Sequence, residues 1–346
     1  MSNTMKAVVK THAGPGAEMR QVPIPRIGPR DVLIKVRATS ICGTDLHIFK
    51  WDPWSAGRIH PPIIMGHELS GEIVDVGKDV TSVRVGDFVS AESHIVCGVC
   101  DLCRTGNGHI CRNTQIIGVD RDGCFAEYIA LPAENAWIDP PDMPAEIAAL
   151  QENFGNAVHA ALATPVVGRK VLMTGCGPVG LMAILVARAA GARAIYVTDV
   201  SEYRLNLAKQ LGATIAIDPT RENTQKIIFD VTNGEGVDVL LEMSGAPSAI
   251  RDGFDVLKKG GAAALLGLPS KPFEFDLGNL VIMKGITVFG IAGRKLWDTW
   301  YAARGLQRGG AVDLTPIVTH KFKLDDFEKA LETMASGNSG KVVMFP

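Results

Sequence analysis

Residues 169–204 read RKVLMTGCGPVGLMAILVARAAGARAIYVTDVSEYR, and this stretch limits the fold more than any other. A β-type run over 170–174 enters Gly175-Cys176-Gly177-Pro178-Val179-Gly180, and a helical stretch of Ala, Leu, Ile and Val follows. A second β-type run, 194–198, closes on Asp199. In this strand–turn–helix setting the first glycine makes the tight turn. The second lets backbone approach a pyrophosphate, and the third lets helix pack on strand. The amides at the helix start then face the phosphates. Asp199, nineteen residues past Gly180, stands where an acidic side chain takes the adenosine ribose hydroxyls. A carboxylate there repels a 2′-phosphate, so the pattern predicts NAD rather than NADP. The plainer alternative for Asp199 is a helix-start residue, helped by Ser201.

The rhythm continues with a helix over 202–211 ending at Gly212, a strand at 214–217, a helix near 222–232 and a strand at 237–242. A helix near 247–258 and strands at 261–267 and 286–291 follow. Strands alternating with helices make a doubly wound parallel sheet. The first 155 residues differ. Short β-rich runs (AVVK, DVLIKVRAT, LSGEIVDVG, DFVSAE, FAEYIAL) are broken by Gly and Pro, which predicts a mostly antiparallel, barrel-like domain. Amphipathic helical stretches lie at 297–308 and 324–336, and the terminal GKVVMFP reads as one more strand, returning to the first domain. With 346 residues, two domains are the natural expectation. The sequence divides into 1–155 with 296–346, and 156–295.

Four of seven cysteines, Cys97, Cys100, Cys103 and Cys111, fall in one short lobe, 94–113. Two-residue gaps let successive thiolates fold onto one centre, and Gly106 and Gly108 let the chain swing round to the fourth corner. An all-cysteine tetrahedron is the closed, structural type of zinc site. An iron–sulfur cluster is the main rival, but neither the bacterial nor the plant ferredoxin spacing fits. With all four positions filled, the reaction must lie elsewhere. A second set, Cys42, Thr44, Asp45 and His47 with His67 and Glu68, offers a thiolate, an imidazole and a carboxylate. Three protein ligands leave a position open, which is the catalytic arrangement. Each residue alone reads more simply as a buried small thiol or a satisfied polar group.

Net charge is −2, so nothing in the balance predicts nucleic acid or an anionic membrane as partner. No stretch approaches eighteen uninterrupted apolar residues, and residues 1–25 lack a signal-peptide core. An odd cysteine count argues against a disulfide framework, so the expectation is a cytoplasmic chain.

In combination, Cys42-Gly-Thr44-Asp-Leu-His47, Gly66-His67-Glu68, the four-cysteine lobe and the glycine turn at 175–180 resemble the zinc-dependent medium-chain dehydrogenase family, over essentially the whole chain. The resemblance implies a GroES-like catalytic domain, a Rossmann domain, NAD(P), two zincs per subunit and a homotetramer. It implies Cys42, His67 and Glu68 as catalytic zinc ligands, with Glu152 as a close, exchanging fourth carboxylate. It implies a proton relay through Thr44 and His47, and hydride transfer to the nicotinamide. For NAD it adds Val179 and Arg204, then Leu266, Gly267 and Leu268, then Ile291 and Ala292 on the nicotinamide side. ATSICGTDLHIFKWDPW, LQENFGNAV and GRKLWDTWY are similar to the branch that oxidises the secondary hydroxyl of L-threonine to 2-amino-3-oxobutanoate, although that branch usually has Pro-Leu where this chain has Asn153-Phe154. For such an amino-alcohol substrate, Arg294 is the candidate for its carboxylate, Glu152 for its ammonium and His94 for a pocket wall. A polyol or 2,3-butanediol enzyme is the nearest rival, and a non-enzymatic dinucleotide-binding zinc protein is the rival from another class. A zinc-ribbon nucleic-acid binder would need more basic charge than Arg104 and Arg112 supply.

Overall fold

A computed structural model describes residues 3–346. The chain divides into two compact units, 1–153 with 318–346, and 154–317.

The first unit is mostly antiparallel β. Its larger sheet has seven strands. Along its path these run Ala136–Ile138, Phe88–Ala91, Glu68–Val76, Asp31–Ser40, Lys341–Phe345 and Val318–Lys323, with Tyr128–Pro132 also paired to Asp31–Ser40. Alternation explains the central strand: Val32, Ile34, Val36 and Ala38 point inward and are buried, while Lys35 and Arg37 are not. Val32, Ile34 and Val36 meet Ile73, Val89, Ile129 and Leu131 in one core. A three-stranded sheet, Glu18–Pro23, Thr4–Lys10 and Ile63–Ile64, carries its own small cluster of Met5, Ala7, Val9, Ile64 and Ala126. The terminal strand does return to this unit, pairing antiparallel with Asp31–Ser40 and parallel with Val318–Lys323.

The second unit is a six-stranded, all-parallel sheet. Its order is Ile215–Ile217, Ala194–Thr198, Lys170–Thr174, Val237–Glu242, Leu257–Leu265, Thr287–Gly290. Lys170–Thr174 and Val237–Glu242 are buried at every position, as strands covered on both faces must be. Strand order reverses at Lys170–Thr174, and ligands bind such sheets at the carboxyl ends beside that switch point.

The unit boundary and several elements depart from the sequence reading. The crossing back to the first unit comes at residue 318, where the sequence placed it at 296. Helix Asp298–Arg308 buries Trp300 and Ala303, and the turn Thr315–Ile317 lies against helix Pro178–Ala189 of the sheet unit. Strands Glu18–Pro23 and Val318–Lys323 and helix Gln151–Leu162 were not read from the sequence. VTHKFK has apolar residues only at its first and fifth positions, and QENFGN opens that helix with polar groups and a glycine. Gly155 lets Arg294 pack closely there: a Cβ would stand 2.8 Å from Arg294 Cδ and would force that side chain to shift.

Candidate metal and dinucleotide sites

The cysteine lobe is a loop on a two-strand stem, with His94 paired to Ile116 and Ile95 to Gln115. Cys100 Sγ lies 3.5 Å from Cys103 Sγ and 3.9 Å from Cys111 Sγ, which is 3.5 Å from Cys97 Sγ. A tetrahedron with metal–sulfur bonds of about 2.3 Å has edges of about 3.8 Å, so the thiols sit at near-ligating spacing. Backbone amides of Val99 and Cys100 pull the Cys97 thiol down to about 6, while burial and its thiol neighbours push Cys103 up to about 12. A thiol already deprotonated at neutral pH is the natural first ligand for an incoming cation. Arg112 and Asp101 close the lobe with an exposed ion pair.

The second site is built by strand register. Ser40 pairs with Glu68, and Thr39 Oγ1 donates to the Glu68 carbonyl at 2.7 Å, so the exit of one strand meets the entry of the next. Cys42 lies just past Ser40 and caps helix Gly43–Lys50. Its amide donates to Asp45 Oδ2 at 2.8 Å. His67 precedes Glu68 and follows Gly66, whose φ of 89° and position against Phe125 exclude any side chain: a Cβ would stand 2.1 Å from the ring. One ligand atom each from Cys42, His67 and Glu68 fall within 4.8 Å of one another.

These residues fit a cation. Glu68 Oε1 and His67 Nδ1 are buried without a hydrogen-bond partner among the described residues. Asp45, fully buried, stands 3.6 Å from His67 Nδ1. Burial alone would lower the imidazole, but the charges of Asp45 and Cys42 outweigh it and hold His67 well above its ordinary value. Burial raises Glu68 and Asp45. Glu68 Oε2 is taken by Ser40 Oγ and by Lys341 Nζ at 2.5 Å, and Lys341 also donates to Ile41 O at 3.0 Å. That ammonium is 1% exposed and was not foreseen, because only the antiparallel pairing of the last strand brings it here.

Glu152 begins helix Gln151–Leu162. Its Oε1 accepts from Ser93 Oγ at 2.6 Å, and its charge acts on Asp45, His67 and Glu68, although it is not in the three-residue ligand group. Thr44 and His47 lie one turn apart on helix Gly43–Lys50. His47 Nδ1 is 2.6 Å from Asp52 Oδ2, a partner the sequence reading missed. The same carboxylate caps the next helix through Ser55 N at 2.9 Å. His94 is half-buried, its amide donating to Glu92 Oε1. Asn153 and Phe154 are both buried.

In the second unit the glycine turn has its expected form. Gly175 has φ 89°, and a Cβ on Gly180 would stand 2.1 Å from Gly175 O, so the first turn of the helix packs directly on the glycine turn. Asp199 Oδ2 accepts from Cys176 N at 2.7 Å and Oδ1 from Ser201 N at 2.8 Å, which fixes the carboxylate at the strand end. Ser201 caps the helix and Arg204 lies in its first turn. Leu266 and Gly267 amides donate to Glu242 O, and Ile291 N to Leu265 O. Leu268 is 89% exposed. Arg294 is 1% exposed and donates to Asn156 Oδ1 at 3.3 Å, which puts it against helix Gln151–Leu162.

Comparison with known proteins gives the family. Residues 28–141 match the alcohol dehydrogenase GroES-like domain and residues 178–307 the zinc-binding dehydrogenase domain. An L-threonine 3-dehydrogenase from Symbiobacterium thermophilum is 53% identical over 347 aligned residues, covering 100% of this chain and 99% of that protein. Among solved structures, 2R,3R-butanediol dehydrogenase from Bacillus subtilis superposes with a TM-score of 0.89 at 30% identity, covering 99% of each chain. Galactitol-1-phosphate dehydrogenase from Escherichia coli gives 0.90 at 28%, covering 99% of this chain and 100% of that one.

Proposed function

This chain belongs to the zinc-binding alcohol dehydrogenase family, and on that premise we propose that it oxidises the secondary hydroxyl of L-threonine to 2-amino-3-oxobutanoate with NAD as acceptor. The observation that carries the reading is the group of Cys42, His67 and Glu68, three unlike donors within 4.8 Å, in a chain 53% identical to an L-threonine 3-dehydrogenase. The butanediol enzyme, at 30%, is a more distant match, which favours threonine over the diol.

Cys42, His67 and Glu68 would hold the catalytic zinc, and Cys97, Cys100, Cys103 and Cys111 a structural one. When bound, zinc supplies a Lewis acid for the substrate oxygen and NAD supplies the hydride acceptor. The chain's own residues manage the proton. Thr44 Oγ1 receives it near the ligand group, 4.0 Å from Cys42 Sγ. His47, more than half exposed, takes it on and gives it to water. With Nδ1 committed to Asp52, the ring accepts at Nε2. Asp45 orients His67, and Ser93 and Glu152 fix one another. Asp199 receives the adenosine ribose hydroxyls, and its charge disfavours a 2′-phosphate.

The reading includes a cytoplasmic location, supported by seven cysteines that are all free. Among the described residues no helix is long and apolar enough to cross a membrane. It also includes assembly into a homotetramer. Support comes from the outer strand Thr287–Gly290, which pairs on one side only among the described residues, carries exposed Val288 and lies near exposed Ile282 and Met283 in the chain.

Cys42→Ser tests the catalytic role. The variant is expected to lose threonine-dependent NADH formation and one bound metal while still binding NADH. Retained turnover would sink the assignment.

A further inference from the structure

Glu242 ends the strand beside the switch point, is fully buried, and has no part in the reaction as described above. Its carboxylate is heavily used. Oε1 accepts from Ser244 N at 2.9 Å, Gly245 N at 3.0 Å, Thr174 Oγ1 at 3.2 Å and Ser244 Oγ. Gly245 N also reaches Oε2 at 3.2 Å. Its main-chain carbonyl accepts from Leu266 N at 2.9 Å and Gly267 N at 3.1 Å. One residue therefore bonds the ends of three adjacent parallel strands: Thr174, just before the pyrophosphate turn, the segment 243–246, and the segment 266–268.

These segments are packed too closely for side chains. A Cβ on Gly175 would stand 2.9 Å from Ser244 N, and one on Gly267 would stand 2.2 Å from Gly245 N and 2.6 Å from Glu242 Oε2. A Cβ on Gly245 would stand 2.4 Å from Leu268 O. Leu268, with its backbone held there, leaves its side chain out in solvent. Burial of a carboxylate is costly, and none of the described cations pairs with this one, so the amides and hydroxyls offset the cost. Burial still raises Glu242 above its ordinary value. A core that needed only filling would be served by leucine. What a carboxylate adds is an acceptor that turns two N–H groups, of Ser244 and Gly245, and two hydroxyls, of Ser244 and Thr174, toward one point and fixes the segments carrying them.

We propose that Glu242 is a positioning residue for the dinucleotide, its carboxylate tying segment 243–246 to the strand end that precedes the pyrophosphate turn, so that the nicotinamide-side segment packed against 244–245 is held in a fixed relation to that turn. The inference rests on the NAD reading above. Its effect falls on cofactor binding rather than on the metal or the proton relay.

The test is calorimetric titration of NADH into the metal-loaded enzyme, with steady-state kinetics, for wild type, Glu242→Ala, Glu242→Gln and Thr174→Val. Glu242→Ala is expected to weaken NADH and raise the KM for NAD by about tenfold, equivalent to about 1.4 kcal/mol. The kcat at saturating NAD should change by less than about threefold, the signature of lost ground-state binding. Glu242→Gln, whose amide oxygen still accepts from Ser244 and Gly245, should stay near wild type. NADH bound by Glu242→Ala as tightly as by wild type would overturn the proposal, as would a glutamine variant as weak as alanine. If Glu242→Ala fails to fold, Thr174→Val decides: about threefold weaker NADH binding supports the proposal, and unchanged binding overturns it. Failure of the wild type itself to bind NADH would remove the cofactor reading, and is seen before any variant is compared.

Discussion

Replacing Lys341 by methionine keeps the length of a buried side chain and removes its charge. In the folded protein Lys341 Nζ sits 2.5 Å from Glu68 Oε2 and 3.0 Å from Ile41 O, with both ionic side chains at most 1% exposed. Breaking a buried pair from one side leaves its partner uncompensated, which costs about 3–5 kcal/mol. At about 2–4 °C per kcal/mol for a unit of this size, the metal-free protein should lose about 6–20 °C in thermal midpoint. A divalent ion beside Glu68 would compensate part of that charge, so the loss should be smaller in the metal-loaded protein. The deficit should also depend on pH. Burial already raises Glu68, and losing the ammonium raises it further. A carboxyl with a raised folded value destabilises above its unfolded value, so the variant's deficit should shrink as pH falls toward 4.5, the ordinary value. Thermal and urea denaturation of both proteins, with and without chelator, reads this directly. A neutral-pH difference under about 1 kcal/mol, indifferent to chelator, would refute the claim that Glu68 depends on Lys341.

Other outcomes follow from the same geometry. Cys111→Ser should lower bound metal from about two equivalents per chain to about one and reduce the thermal midpoint, with metal analysis on both samples as the check. Asp199→Ser should narrow the preference for NAD over NADP by about tenfold or more, read as the ratio of kcat/KM values, because the charge that repels a 2′-phosphate is gone. Asp238 accepts from Lys170 N at 2.7 Å and pairs with Lys258 and Arg169. Burial opposes its ionisation, but these partners prevail and hold the carboxyl below 3.8. Its contribution to stability is therefore complete above that pH and lost as pH falls through the lowered value. Asp238→Asn should flatten the acid limb of the unfolding curve there, followed by circular dichroism.

What the sequence made legible was local or closely spaced. The glycine turn announced itself because strand, turn and helix each have a residue signature within a few positions, and Asp199 follows at a fixed remove. The four thiols were legible for the same reason. Cys42, His67 and Glu68 were visible as candidates, but their meeting depends on Ser40 pairing with Glu68, which no local pattern encodes. Lys341, Ser93 and Asp52 were not singled out at all. A lysine opening a terminal strand looks like any surface charge until the pairing of Val343 with Ser40 carries it into the core. Glu242 read as the last residue of a strand, and only the assembled ends of three strands reveal its donors. The boundary read at 296 differs from the division at 318 because an amphipathic helix does not say which unit its apolar stripe faces.

The most direct test of the central claim is NADH formation by the purified, metal-loaded protein with NAD and, in parallel, L-threonine, sorbitol, 2,3-butanediol and ethanol. Metal content is measured on the same sample. The account predicts preference for L-threonine, with about two zincs per chain. Preference for the diol or polyol, or no turnover in a protein carrying both metals, would contradict it.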